Sequence, residues 1–229
     1  MSNDKIIIYQ LLPRLYGNRN TTRKENGSIS DNGCGKFNDL TASVLKSIWQ
    51  KGATHVWFTG VIRHATKTDY SAHGIPVNHP AIVKGNAGSP YAITDYYDVD
   101  PDLAEDVDSR MAEFEALVAR AHKSRLGVII DFVPNHVARQ YVSLCKPKGV
   151  RDLGADDNQS QGFNPQNNFY YCPGCSFEPY LDLYAGTAEP YHEEPAKATG
   201  NDHFDHKPGQ NDWYETVKLN YGVDYYAGG

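Results

Sequence analysis

The stretch Leu126-Gly127-Val128-Ile129-Ile130-Asp131-Phe132-Val133-Pro134-Asn135-His136 constrains this chain more than any other. It opens with a glycine able to end a helix, continues as a β-branched run without polar alternation, and finishes in Asp, Asn and His. A half-solvated strand would alternate apolar and polar residues, so this run predicts a parallel strand covered on both faces. Polar residues at the C-terminal end of such a strand fall where (β/α)8 barrels and open α/β sheets gather their active sites. A core strand followed by an ordinary polar turn is the other account of the same residues.

The preceding segments repeat the pattern. Lys5-Ile6-Ile7-Ile8-Tyr9-Gln10, ended by Pro13, predicts a short buried strand. After a loop rich in Gly, Asn and Ser, Asn38-Asp39 precedes Leu40, Val44, Leu45, Ile48 and Trp49, which share one face at helical spacing. Gly52 stands just past the end, where a left-handed residue closes a helix. Ala53 to Thr59 then predicts a second buried strand, which completes a βαβ unit. A long loop is expected from Arg63 to Asp102. Asp108-Ser109 is expected to cap a helix carrying Met111, Phe114, Leu117, Val118 and Ala121, with Gly127 ending it. This order favours a parallel sheet. From Arg139 to Gly209, Gly, Asn, Gln, Pro and Tyr dominate, which predicts an irregular subdomain or a long excursion. Asp212 to Tyr221 resumes some order, and no closing element is expected before Gly228-Gly229.

Composition narrows the function classes. The 229 residues are 40% hydrophobic and 22% charged, enough apolar material for a sizeable core. A net charge of −6 and a pI near 5.8 argue against nucleic acid or an anionic membrane surface as partner. No run approaches ~18 apolar residues, so no membrane span is expected. Met1 to Asp4 leads straight into Ile6-Ile7-Ile8 without a basic segment or cleavage site, which suits a strand better than a signal peptide. The expected location is cytoplasmic, or exported with the signal already removed. Four cysteines are too few for a disulfide scaffold. Cys172-Pro173-Gly174-Cys175 and His203-Phe204-Asp205-His206 together could supply a tetrahedral zinc set. The long gap between the pairs and the tight His-x-x-His spacing favour free thiols or one local disulfide. Sixteen Tyr and three Trp suit sugar binding as well as core packing.

Asp131-Phe132-Val133-Pro134-Asn135-His136 resembles the D-x-V-x-N-H signature of the α-amylase family of glycoside hydrolases. Other segments resemble the family in the same order. Ile8-Tyr9-Gln10 with Pro13-Arg14 is similar to its first barrel strand. Gly35 to Leu40, Leu45-Lys46 and Gly52 to Thr59 are similar to its first helix and second strand. Pro90-Tyr91 through Asp95-Tyr96, with Asp100-Pro101, is similar to the loop before its second helix. Ala121-His122 and Leu126-Gly127 then lead into the signature. The likeness covers residues 5 to 138, and the remainder resembles the long insertion after the third strand, called domain B. The implied fold is α/β, a partial (β/α)8 TIM barrel of three strands over residues 1–138, with residues 139–229 as a domain B-like insertion and its return segment.

The resemblance also implies roles. Tyr91 matches the tyrosine that stacks under the sugar at the cleavage subsite, and His136 the histidine that hydrogen-bonds that sugar's hydroxymethyl group. Asn135 matches a calcium ligand of many members, through a hard oxygen. Asp131 matches a carboxylate that orients an arginine beside the nucleophile and is not itself the catalyst. Gly60-Val61-Ile62 departs from the proline common after the second strand, and Ser89-Pro90 from the His-Gly common before the tyrosine in starch hydrolases. Substrate type at that subsite is therefore open.

Retaining glycoside hydrolysis needs two carboxyl groups about 5 Å apart. The family draws them from a G-x-R-x-D segment on the fourth strand and a Glu on the fifth. This sequence has no G-x-R-x-D, and Gly222-Val223-Asp224 is the nearest string. A closed barrel takes about 250 residues even without a long insertion. No catalytic residue is therefore assigned. The chain is expected to be the N-terminal portion of a retaining hydrolase of α-glucans such as starch or maltooligosaccharides, inactive by itself. A transglycosylase or isomerase on the same scaffold is equally compatible, and a non-catalytic carbohydrate-binding or structural relative is the alternative. Three barrel strands leave an open sheet edge, which predicts either oligomerisation or cover by the segment from Arg139 onward.

Overall fold

A computed structural model describes residues 5–180 and 189–227. Met1 to Asp4 and Gly228-Gly229, on which the expectations about the chain's two ends fall, lie outside the described residues. In chain order the elements are β1 (Ile8–Leu11), the one-turn helices α1 (Pro13–Tyr16) and α2 (Ile29–Asn32), α3 (Ala42–Gln50), β2 (His55–Phe58), β3 (Ile62–His64), β4 (Ile93–Val99), α4 (Arg110–Lys123), β5 (Gly127–Ile130), β6 (His136–Ala138), β7 (Tyr171–Cys172), β8 (Ala196–Lys197) and β9 (Thr216–Lys218). Two compact units share them: Met1–Arg63, Thr68–Pro76 and Tyr96–Phe132 form the first, and His64–Lys67, Val77–Asp95 and Val133–Gly229 the second.

In the first unit β1, β2 and β5 form a parallel sheet in that spatial order, with Tyr9 opposite Val56 and Val56 opposite Val128. Parallel neighbours need crossovers, and α3 and α4 lie on those connections. The core joins Val56 and Phe58 of β2 to Leu45 and Ile48 of α3, Leu117 and Ala121 of α4, and Phe37, Leu40 and Leu126. Burying each such Leu, Ile or Phe stabilises by roughly 1.5–3 kcal/mol. A polar cluster closes one side. Arg14 pairs with Asp100 at 3.2 Å and with Asp102, Tyr70 Oη donates to Asp102 at 2.6 Å, and Lys36 Nζ donates to the Asp102 carbonyl at 2.7 Å. Burial alone would lower the Arg14 pKa, but the two carboxylates outweigh it and raise it.

Several local expectations are corrected. The Ile6-Ile7-Ile8 run is largely exposed, not buried: Ile6 and Ile7 precede β1, and Ile8 shares with Gln10 the exposed face of that strand. Ile130, the last residue of β5, and Phe132, beyond it, are exposed too. α3 is capped by Thr41, whose Oγ1 accepts from Val44 N at 3.4 Å, while Asn38-Asp39 belongs to a preceding 3-10 turn. Ser109 occupies the cap position of α4 without capping it; its hydroxyl donates to Asp106 instead, at 2.7 Å. Gly52 does hold φ +93 just past α3. Gly127 does not end α4. The left-handed residue there is Arg125, φ +63, and Gly127 is already in β5. Its role is steric: a Cβ on Gly127 would stand 2.4 Å from the His55 ring.

The expected loop from Arg63 to Asp102 contains β4 and the end of β3, which pair with each other. In the second unit β6 and β9 pair antiparallel, with Val137 opposite Val217 and both fully buried, and β7 pairs with β8. Tyr170 is buried among rings, with Phe163 stacked at 6.0 Å and Phe204 and Tyr225 edge-on at 5.3 and 5.6 Å. Side chains organise the irregular backbone here. Asp157 accepts from the amides of Asn168 and Phe169 and from the Tyr171 hydroxyl, and Asp95 accepts from Ser143 Oγ and the amides of Leu144 and Cys145. Among the described residues, no helix is long and apolar enough to cross a membrane.

Candidate functional site

The polar ends of the three parallel strands lie together in the first unit. Gln10 Nε2 donates to Thr59 Oγ1 at 2.9 Å, linking the ends of β1 and β2. Asp131, just beyond β5, accepts from the Trp57 indole through Oδ1 and from the Gly60 amide through Oδ2 at 3.0 Å. Both carboxylate oxygens thus receive donors from the β2 side of the sheet. Two donors on two different oxygens hold the carboxylate in one orientation. This arrangement suits a positioning group better than a nucleophile, which needs an oxygen directed at its target.

Tyr91, Asn135 and His136 belong to the second unit, whereas Asp131 belongs to the first. Asn135 and His136 meet, with Oδ1 of the amide against Nδ1 of the imidazole. Nδ1 donating to that carbonyl makes Nε2 the acceptor of the ring. His136 is buried at the start of β6, not in a loop, because its backbone pairs with Lys218 of β9. Burial first, and the Lys218 charge second, hold the imidazole below its ordinary pKa, so it is neutral at neutral pH. Gly200 permits the close approach beside it: a Cβ there would lie 2.8 Å from His136 Cβ and 2.4 Å from Thr216 Oγ1. Tyr91 is half-buried in a turn where its own amide donates to Ser89 Oγ at 3.4 Å and the Ala92 amide donates to the Ser89 carbonyl at 3.0 Å.

Two features went unforeseen. Trp213 stands with its ring centroid 5.1 Å from that of His136 and is 40% exposed, a flat face next to a candidate sugar-binding group. Its signal was the return of ordered sequence from Asp212 to Tyr221, a stretch in which Thr216–Lys218 pairs with β6 about eighty residues earlier in the chain. The second is Arg139, directly after β6. Its guanidinium is wholly buried, bound to Glu193 at 2.6 Å, to the Tyr214 carbonyl at 2.6 Å and to the Lys197 carbonyl at 3.1 Å, over the Phe177 ring. Glu193 also accepts from the Lys197 amide and the Tyr191 hydroxyl. Burial would raise the Glu193 carboxyl, but the Arg139 guanidinium and the Lys197 ammonium override it and hold it below the usual range. This pair braces the backbone that leaves His136.

Asn135 is exposed and offers a hard amide oxygen with a second lone pair outside its contact with His136. The donor suits calcium in kind. Among the described residues, no group of three or more His, Cys, Asp or Glu ligand atoms converges on it.

Residues 15–170 match a family model described as alpha amylase, catalytic domain. Among curated proteins, Maltase 1 of Drosophila virilis is 24% identical over 196 residues, covering 82% of this chain and 24% of the relative. Among solved structures, an alpha-amylase from Lactobacillus plantarum aligns at 26% identity and a TM-score of 0.41, covering 60% of this chain and 24% of that one. Trehalose-6-phosphate hydrolase (TreA) of Bacillus licheniformis aligns at 18% identity and a TM-score of 0.47, covering 96% of this chain and 30% of that one. The chain spans about a quarter of the length of the curated relative it matches.

Proposed function

From a chain that belongs to the α-amylase family, matched through its catalytic domain, we propose an N-terminal portion of a retaining glycoside hydrolase that acts on α-glucans. Residues 1–138 are read as the first part of the (β/α)8 barrel and 139–229 as the domain B-like insertion with its return. The observation that carries the reading is Asp131 at the C-terminal end of the third parallel strand, with both oxygens held by Trp57 and Gly60. Barrel enzymes assemble their chemistry at that end of the strands.

In this reading Asp131 is a positioning residue, fixed by its two donors, beside which a nucleophile from a later strand would stand. His136 is neutral, and its Nε2 accepts a hydrogen bond from a sugar hydroxyl. Tyr91 offers its ring to a sugar face. Asn135 Oδ1 would be one oxygen ligand of calcium, a hard donor of the kind that ion takes. The nucleophile and acid/base carboxyls come from outside residues 1–229, so this chain alone binds without cleaving.

Two assays with maltoheptaose test this. Residues 1–229 should give no reducing-end release, while calorimetry detects a binding heat that Tyr91→Ala and His136→Ala diminish. The product of a reading frame continuing past Gly229 should hydrolyse it with retention of the α-anomer by proton NMR. Turnover by residues 1–229 would overturn the inactivity, inversion would overturn the mechanism, and a natural stop codon after Gly229 would overturn the catalytic assignment.

A further inference from the structure

The sequence pairs Cys172/Cys175 and His203/His206 are untouched by the sugar chemistry, and the fold treats them unequally. Cys172 Sγ, Cys175 Sγ and a ring nitrogen of His206 all lie within 4.8 Å of one another. His203 instead faces Asp212, at 3.5 Å. We propose that Cys172, Cys175 and His206 form a Zn2+ site, with the fourth position open to water.

The backbone holds this triad without help from a metal. Cys172 ends β7, and Pro173-Gly174 turns the chain so that Cys175 N donates to Cys172 O at 3.1 Å, with Gly174 at φ +75. Cys175 O in turn accepts from Ala196 N at 2.8 Å, which fixes the turn against β8. The His206 segment arrives from thirty residues further on and is pinned twice. Its carbonyl accepts from Glu178 N at 2.9 Å, and Phe204 packs edge-on against Tyr170, two residues before Cys172.

The spacing matches the chemistry. Tetrahedral Zn2+ binds thiolate at about 2.3 Å and imidazole at about 2.0–2.1 Å, so adjacent ligand atoms lie roughly 3.5–4 Å apart. A set of two sulfurs and one nitrogen within 4.8 Å needs only small rotations to close on one ion. Soft thiolates with an imidazole favour zinc over calcium, magnesium or manganese. His206 Nδ1 lies 2.7 Å from the Asp205 carboxylate and Nε2 3.8 Å from that of Glu178, so whichever ring nitrogen takes the ion leaves the other beside a carboxylate. Cys172 and Cys175 are both free thiols. All three ligands are partly exposed, so an ion can enter and a water can occupy the fourth position. Each thiol gives up its proton to solvent on binding, and the imidazole binds neutral, so no oxidation is involved.

The test uses the whole chain, reduced and stripped with a chelator, then titrated with Zn2+ alone under anaerobic conditions. One Zn2+ per chain should bind, two of the four thiols should become protected from a thiol reagent, and Co2+ should produce thiolate charge-transfer absorption with the intense visible bands of a tetrahedral ion. Cys175→Ser and His206→Ala, each folded by circular dichroism, should lose stoichiometric binding. Replacing Cys34 and Cys145 together should leave it unchanged. Failure of the reduced native chain to bind Zn2+ would overturn the proposal. So would stoichiometric binding that persists in a folded Cys172→Ser/Cys175→Ser variant.

Discussion

The indole N–H of Trp57 donates to Asp131 Oδ1, so the carboxylate after one parallel strand is held by the strand beside it. The geometry ties a core element to the candidate site. Trp57→Phe deletes the donor and keeps an aromatic, though smaller, ring. Hydrogen bonds to charged groups contribute about 1.5–3 kcal/mol, and a loss in that range should appear as a lower urea midpoint with unchanged slope. An unchanged midpoint would mean that the Gly60 amide alone orients Asp131.

Gly127 faces His55 at a distance no side chain tolerates. Gly127→Ala should destabilise by about 1–3 kcal/mol, the usual cost of overpacking a filled site. The double variant Gly127→Ala/His55→Ala should recover part of that loss, which a double-mutant cycle in urea would measure. Additive losses would show that strand propensity, not the ring, selects glycine.

Arg139 and Glu193 are buried together, and breaking one member strands the other. Arg139→Met or Glu193→Gln should each cost about 3–5 kcal/mol, while apolar replacement of both should cost much less. Thermal unfolding of the three variants separates these outcomes. Because the Glu193 carboxyl is held below the usual range, its contribution is full above the unfolded-state pKa. It is lost as pH falls toward the folded one. Glu193→Gln should flatten that acid limb.

His136 shifts stability in the same direction as Glu193, in a higher pH range. Burial and Lys218 hold its folded pKa below the unfolded value, so below about pH 6.5 the unfolded chain takes up a proton that the folded chain refuses. Stability therefore declines with acidification until the folded imidazole also protonates. NMR titration should place the His136 midpoint below that of an unfolded peptide, and His136→Gln should remove this part of the pH dependence. A midpoint at or above the peptide value would refute it.

Periodicity made much of the first unit legible. Leu45 and Ile48 at helical spacing, and the unbroken run from Val128 to Ile130, predicted α3 and β5, because burial on one stripe or in a parallel sheet leaves a local signature. The ends were less legible. Gly127 looked like a helix terminator because a glycine's freedom of φ is visible in sequence, whereas its nearness to His55 depends on the register of β5 against β2. The exposure of Ile6 to Ile8 is likewise hidden, since an apolar run does not state where its strand begins or what covers its faces. The small sheets of the second unit escaped notice because two- and three-residue strands are too short to show a period.

The sequence by itself determined the parallel βαβ order, the polar ending of β5 and the resemblance carried by Asp131 to His136, all of which live in short stretches. Only the tertiary structure decided which donors hold Asp131, which strand buries His136, which carboxylate neutralises Arg139 and which of two histidines joins Cys172 and Cys175. The physical reason is range. Propensity and periodicity act within a few residues along the chain, whereas hydrogen bonds, ion pairs and ligand sets join groups tens of residues apart that only packing brings within 3 or 4 Å.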